Sequence, residues 1–444
     1  MPSSETLILT GLVTTFFNVA ITIIVTCVMW NLQRPVSIRR VSDQPSTDRF
    51  MNEDPWCCDT SSGPNKLHAG REIPNPYLDH SRGLLDKSGL FKLHPFAITG
   101  DDWDGTCDSW RICLSTQTSA DLMFNIGLQA ETWEGPLSVS VLTPDRDFTV
   151  AITMIQYLQK CFPRMMSRVA FHITYPRNLP PKYVVNDDEE QLEYNCKQPE
   201  SVNREIVEKV RPEKLAQHLK RAAYPQNLLR NLAREGCPAE YSFTPDIDMI
   251  SAPGMSRKLN EFVSRNSTRS CGRCAYIIPT YEIRAGVEKN PRTKGELKAL
   301  LKKKKAQRFH IKVFHLNQHN SQLKKWESDK SSRPRKLEVM YNISTWAEFW
   351  EPIYVTKADV PPYDERFVGY GYTRNSQIYE MHEAGYTWHM LNNAFLCHSG
   401  FQTRRQRSGS RKRQMLHNDH IYKVFKKEIH ARYTVDEDNP LAGY

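Results

Sequence analysis

The feature that most constrains the fold is a regular alternation between Arg111 and Pro176. "RICLST" (Arg111 to Thr116) reads as a strand, and "SADLMFNIGLQAETW" (Ser119 to Trp133) as a capped helix. "PLSVSVLT" (Pro136 to Thr143), "DFTVAITMIQYLQKCF" (Asp147 to Phe162) and "RVAFHITYP" (Arg168 to Pro176) then read as strand, helix and strand. Strands joined through crossover helices pair in parallel, so the pattern predicts an α/β fold with a mostly parallel, mixed sheet flanked by helices. In open sheets of that kind, ligands gather beyond the carboxyl ends of the strands.

A 444-residue chain that is 39% hydrophobic has enough apolar material for a sizeable core. Its net charge of +10 allows anionic partners without choosing among them. The basic runs Lys302 to Lys305 and Arg404 to Gln414 lack the interleaved aromatics of a nucleic-acid platform. They read as solvated surface, the second as an exposed loop, and no nucleic acid is expected.

From Thr6 to Gln33 no residue carries a formal charge, which is long enough for one membrane span. Residues 1–6 then form a cytoplasmic tail, 7–32 a signal-anchor, 33–108 a stem and irregular lead-in, 109–435 a lumenal domain and 436–444 a tail. Arg34, Arg39 and Arg40 after the span argue against this orientation. Ten cysteines outside the span, an even number, together with the sequons at Asn266 and Asn342, argue for it and prevail. Cys271-Gly-Arg-Cys274 could be half a zinc site, but no second ligand pair stands at the expected spacing, so a disulfide is the reading.

Farther along, "YPQNLLRNLAREG" predicts a helix from Pro225 to Arg234, closed by Gly236. A short strand, Glu240 to Thr244, leads into Asp246-Ile-Asp248. In an extended segment these two aspartates face one way while Ile247 turns inward. The alternative is a turn or cap using Ser251, Pro253 and Gly254. "AYIIPTYEI" (Ala275 to Ile283) reads as one further strand, followed by a lysine-rich helix.

These segments, with "WEPIYVTKADVPPYDERFVGYGYTRNSQIYEMHEAGY" and "LNNAFLCHSGF", resemble the β-1,4-glucuronyltransferase and LARGE-type glycosyltransferases, glycosyltransferase family 49. The resemblance covers approximately Arg111 to Arg432. It implies a GT-A nucleotide-sugar-binding fold, single-pass type II Golgi membrane topology, Mn²⁺ dependence, UDP-glucuronate as donor and a xylose-ended or similar glycan on glycoproteins as acceptor. Other Golgi glycosyltransferases become candidate partners. A lumenal glycan-binding or scaffold protein that keeps the fold without turnover is the alternative.

On that resemblance Asp246 and Asp248 hold the cation, Asp246 also lying near the donor, and His398 completes the shell. At least one of Arg230 and Arg234, four apart on one helix face with Asn227 and Asn231 beside them, would grip donor carboxylate or phosphate, since guanidinium binds such oxyanions bidentately. Surface solvation or a pair with Glu235 is the other reading. Asp364 and Glu365 are the candidate bases, Asp364 preferred, with an ion pair to Arg366 as the alternative for one of them. Pro245 and Asn393 depart from the family pattern.

Overall fold

The computed structural model describes residues 65–67, 78, 83–184, 195–287, 289–329, 336–403 and 409–434. The expected span at 7–32 and the tail at 436–444 lie outside them. Among the described residues no helix is long and apolar enough to cross a membrane.

In chain order the strands are β1 (Asn65–Leu67), β2 (Leu84–Leu85), β3 (Phe91–Gly100), β4 (Ile112–Ser119), β5 (Leu137–Leu142), β6 (Val169–Pro176), β7 (Tyr241–Phe243) and β8 (Met249–Ser251). Then come β9 (Cys274–Ile278), β10 (Thr280–Ile283), β11 (Ala306–Arg308), β12 (Val339–Ile343), β13 (Ile353–Lys357), β14 (Thr387–Leu391) and β15 (Leu396–Ser399). Among the described residues the main sheet runs β1-β3-β6-β5-β4-β7-β13-β9-β14-β12, with β2 beside β3, and a smaller sheet runs β11-β10-β15-β8.

Strands β6, β5, β4 and β7 pair in parallel, as the alternation requires. The expectation of a mostly parallel sheet holds only for that part. β3 joins β6 antiparallel, and β13 runs antiparallel to both β7 and β9. β3 also lies in the segment expected to be irregular. Its alternation of Phe91, Lys92, Leu93 and His94 is cut short by Pro95, and the pairing with β6 shifts register between His94 and Ile98.

The sequence of β5 explains how its two faces are used. Leu137, Val139 and Val141 enter the main core with the helices Phe124–Thr132 and Asp147–Cys161. The alternate residues, Ser138 and Ser140, are small, so the helix Gln226–Glu235 can pack closely on the opposite face, where Ser138 Oγ donates to the Ala233 carbonyl at 2.6 Å. That helix is buried along nearly its whole length, including Asn227, Arg230 and Asn231. Its polar residues must therefore find partners inside the protein.

The segment Ala275 to Ile283 is two strands, not one. Pro279 has no N–H to place in a ladder, and the chain switches there from β9 in the main sheet to β10 in the smaller one. The Pro279 carbonyl accepts from Leu396 N at 2.9 Å, which starts the β10–β15 pairing. Antiparallel pairing of β15 with β8 then sets His398 opposite Met249.

Disulfides join Cys113 to Cys237, Cys161 to Cys196 and Cys271 to Cys274. The Lys302 to Lys305 run is exposed, as expected. From Gly409 the second basic run is not a loop: it forms the first turns of a helix, Gly409–Tyr433. Two tyrosines of the segment "FVGYGYTR" are engaged by that helix. Tyr372 stacks on Tyr422 with ring centroids 4.3 Å apart, and the Arg411 guanidinium lies 4.2 Å from the Tyr370 ring centroid.

Candidate active site

Asp246 and Asp248 sit beyond the carboxyl end of β7, but not on an extended segment. Met249 N donates to the Asp246 carbonyl at 2.9 Å, closing a turn across Ile247, which is buried as expected. The turn separates the two carboxylates. Asp246 reaches toward two arginines and Asp248 toward a histidine, and neither side chain is spent on capping the turn.

Contacts from several elements hold this turn. Gln129 Nε2 lies 3.3 Å from the Ile247 carbonyl and 2.8 Å from the Met249 carbonyl, bracketing Asp248. Thr116 Oγ1 donates to the Pro245 carbonyl at 3.0 Å, and Arg374 Nη1 to the Thr244 carbonyl at 3.1 Å. Pro245 is thereby accommodated at the end of a strand that stops at Phe243.

Arg230 Nη2 and Arg374 Nη2 both donate to Asp246 Oδ1, at 2.8 and 2.9 Å. The two guanidinium groups are buried, whereas Asp246 keeps 29% of its side-chain surface. Burial works against the Asp246 charge, but Arg374 and Arg230 hold its carboxyl well below the usual carboxylate range. Oδ2 of Asp246 has no protein hydrogen bond among the described residues.

On the neighbouring side, His398 Nε2 lies 3.3 Å from Asp248 Oδ2. His398 Nδ1 stands 3.2 Å from the Gly400 carbonyl, which takes its proton and leaves Nε2 directed at Asp248. Burial alone would depress the imidazole, but the hydrogen bond and charge of Asp248 and the Gly400 carbonyl raise its pKa. His310, adjacent in charge to His398 and Asp246, is lowered to about 4, by burial first and by His398 second.

Arg374 was not among the residues singled out from sequence. It precedes the helix Asn375–Glu383 and is delivered by the turn "GYGYTR", in which Gly369, Gly371 and Tyr372 all have positive φ. A side chain at Gly369 would meet the flexible end of Gln414, at 2.5 Å, so it is the positive φ that calls for glycine there. Asn418, wholly buried in the helix Gly409–Tyr433, gathers this turn through the carbonyls of Val368, Tyr370 and Gly371, at 3.0, 3.0 and 2.9 Å.

The other expected residues divide. Arg230 reaches Asp246, while Arg234 Nη1 donates to the Val360 and Pro361 carbonyls, both at 3.1 Å. Its guanidinium closes that loop and does not join Arg230 on the aspartate. Asn227 Nδ2 donates to the Asp364 carbonyl at 2.8 Å, and its Oδ1 accepts from Arg230 Nη1 at 3.1 Å. Its role is to position Arg230 against the loop. Asp364 has both carboxylate oxygens engaged by Arg366, the nearest contact being 2.6 Å, so the ion-pair reading applies to it. Glu365 Oε1 accepts from Asn231 Nδ2 at 2.9 Å.

Among the described residues, the histidine and cysteine side chains of Cys271, Cys274 and His389 also cluster. The two sulfurs are bonded to each other and offer no thiolates, which removes the half zinc site. Cys397 is buried and its thiol is pushed up to about 12 by burial, which leaves it unreactive beside His398.

Residues 111–434 match the family described as "Glycosyl-transferase for dystroglycan". Beta-1,4-glucuronyltransferase 1 of Homo sapiens is 32% identical over 359 residues, covering 80% of this chain and 82% of that protein. The protein of the same name from Danio rerio is 28% identical over 384 residues, covering 83% and 87%. Xylosyl- and glucuronyltransferase LARGE1 of Homo sapiens is 25% identical over 358 residues, which is 79% of this chain but 39% of that longer protein. The solved structure of GalNAc-T7 with UDP, GalNAc and Mn²⁺ superposes with a TM-score of 0.33 at 9% identity, covering 72% of this chain and 51% of that one, too distant to inform the site.

Proposed function

Because the chain belongs to glycosyltransferase family 49, and is therefore a glycosyltransferase, we propose that it transfers glucuronate from UDP-glucuronate, with inversion, to a xylose-ended glycan on a glycoprotein. The reading includes a GT-A fold, a bound Mn²⁺ ion and a lumenal Golgi location behind an anchor at residues 7–32. The observation that carries it is the meeting of Asp248 with His398 beside an Asp246 held by Arg230 and Arg374.

The donor set suits a divalent cation. Asp248 supplies a hard carboxylate oxygen and is 41% exposed, Asp246 retains Oδ2, and His398 offers Nε2 once Nδ1 is satisfied by Gly400. A cation held there supplies neutralising charge for the departing UDP diphosphate. The buried arginines fix Asp246 and add positive charge beside that path, in a setting where water screens it poorly. The disulfides among the described residues, together with exposed asparagines in both sequons, support an oxidising, glycosylating compartment.

The test is incubation of the full-length protein, in detergent, with UDP-glucuronate, Mn²⁺ and a β-xyloside. The expected result is UDP release matched by glucuronylated xyloside. No UDP release with any UDP-sugar tried would remove the proposal.

A further inference from the structure

An inverting transfer needs a base whose carboxylate is held in place, yet keeps one oxygen open to the acceptor hydroxyl. Asp364 does not meet that description. Both oxygens of Asp364 are occupied by Arg366, whose guanidinium also binds Glu428 at 2.6 Å, and Glu365 packs on Asn231. Glu351, in the segment "WEPIYV", does meet it.

Asn317, itself buried, holds Glu351 in two ways. Its Nδ2 donates to Glu351 Oε2 at 2.6 Å, and its carbonyl accepts from Glu351 N at 2.9 Å. Oε1 of Glu351 has no hydrogen bond among the described residues, and the residue is half-buried.

The preceding residues fix its place relative to Arg374. Trp350 is fully buried, with its Nε1 donating to Ser321 Oγ at 2.8 Å, and its carbonyl lies 3.3 Å from Nδ2 of Asn375, the residue after Arg374. Phe349 has φ 64, a left-handed conformation rare for an aromatic residue and characteristic of sites where the backbone is held under strain. Its ring packs on Tyr372, 5.8 Å away between centroids, in the turn that delivers Arg374.

We propose that Glu351 is the catalytic base: Oε1 takes the proton of the acceptor hydroxyl while Asn317 holds Oε2. As that proton passes to Glu351, the acceptor oxygen bonds to C1 of the glucuronate, and the bond from C1 to the UDP oxygen breaks. The electron pair leaves with UDP, and Glu351 later returns its proton to water. Burial raises the carboxyl pKa of Glu351 above its ordinary value, against the opposing charges of Arg374 and Arg230, which suits a proton acceptor. That coupling, which includes Asp246, also ties Glu351 to the cation site. The assignment rests on the transferase reading above.

The test compares Glu351→Gln, Asp364→Asn and Glu365→Gln in the full-length protein, measuring kcat for transfer, UDP affinity by calorimetry with Mn²⁺ present, and Tm. Glu351→Gln should lower kcat by about 10²–10⁴-fold, leaving UDP affinity and Tm unchanged. The two loop variants should keep kcat within about tenfold of wild type. Retention of kcat within threefold by Glu351→Gln, or an equal loss in either loop variant, overturns the assignment while the transferase reading stands. If Glu351→Gln folds poorly, Glu351→Asp decides. It keeps the charge but withdraws the carboxylate by one methylene, and should lose at least tenfold in kcat at constant KM for the donor, whereas an undiminished kcat overturns the proposal. A wild-type protein silent with every UDP-sugar sinks both readings.

Discussion

Arg374 Nη2 lies 2.9 Å from Asp246 Oδ1 across 128 residues of sequence, on the same oxygen that Arg230 Nη2 reaches at 2.8 Å. The two cations are 6% and 3% exposed, and the aspartate is their shared counter-charge. Removing the aspartate charge is therefore a different perturbation from removing one arginine.

Asp246→Asn should destabilise the protein by about 3–5 kcal/mol, because it leaves two buried guanidinium groups without an anion. Arg374→Met leaves the Arg230–Asp246 pair intact and should be the milder change. Denaturant unfolding of both variants checks the order, and a reversed order would contradict the shared-anion arrangement.

His398→Ala and Asp248→Asn should each raise the Mn²⁺ concentration for half-maximal activity by at least ~10-fold. Chelation should abolish turnover in the wild type, and added Mn²⁺ should restore it. Equilibrium dialysis gives the same comparison without catalysis. Equal Mn²⁺ binding by wild type and both variants would place the cation elsewhere.

His172 provides a pH dependence with a defined sign. Its Nδ1 accepts from Phe96 N at 2.9 Å. Ser138 Oγ donates to Ala233, so His172 Nε2 carries the proton and donates to Ser138 Oγ at 2.8 Å. A second proton has no place, and burial lowers the imidazole to about 3. The unfolded chain, titrating near 6.5, binds the proton first. This contribution to stability is present above pH 6.5 and is lost as the pH falls toward 3, at about 1.4 kcal/mol per pH unit. A His172→Gln variant should flatten the stability-against-pH curve between pH 6 and 4, and an unchanged slope would refute a neutral, buried His172.

Gly236→Ala should cost about 1–3 kcal/mol. An added Cβ there would lie 2.4 Å from Cε1 and Nε2 of His172 and 2.9 Å from Ser138 Oγ. Thermal unfolding of the variant measures it, and a stability equal to wild type would show that the ring shifts freely.

That glycine illustrates how far local reasoning reaches. At the end of "NLLRNLAREG" it reads as a left-handed helix stop, yet its φ is −71, which any residue adopts. What requires glycine is the His172 ring on a strand more than sixty residues earlier. The helix itself, the βαβ alternation and the parallel run from β6 to β7 were all legible, because periodicity and burial are properties of neighbouring residues. The aspartate pair and His398 were legible only through resemblance to a family, since a bare Asp-x-Asp and a lone histidine carry little information by themselves.

By itself, then, the chain's order of apolar and polar residues determined that an α/β sheet would form and that Asp246 and Asp248 would emerge at the end of a strand, with Ile247 buried between them. The tertiary structure decided what those carboxylates meet. Arg374, Asn317 and Glu351 come to the site through a glycine turn, the clamp of Asn418 and contacts far apart in sequence, while Arg234, Asn227 and Asp364 are spent on holding one loop. The reason is that a hydrogen bond or ion pair depends on distance in space, and no spacing along the chain encodes which buried donor will find which acceptor once helices and strands have packed.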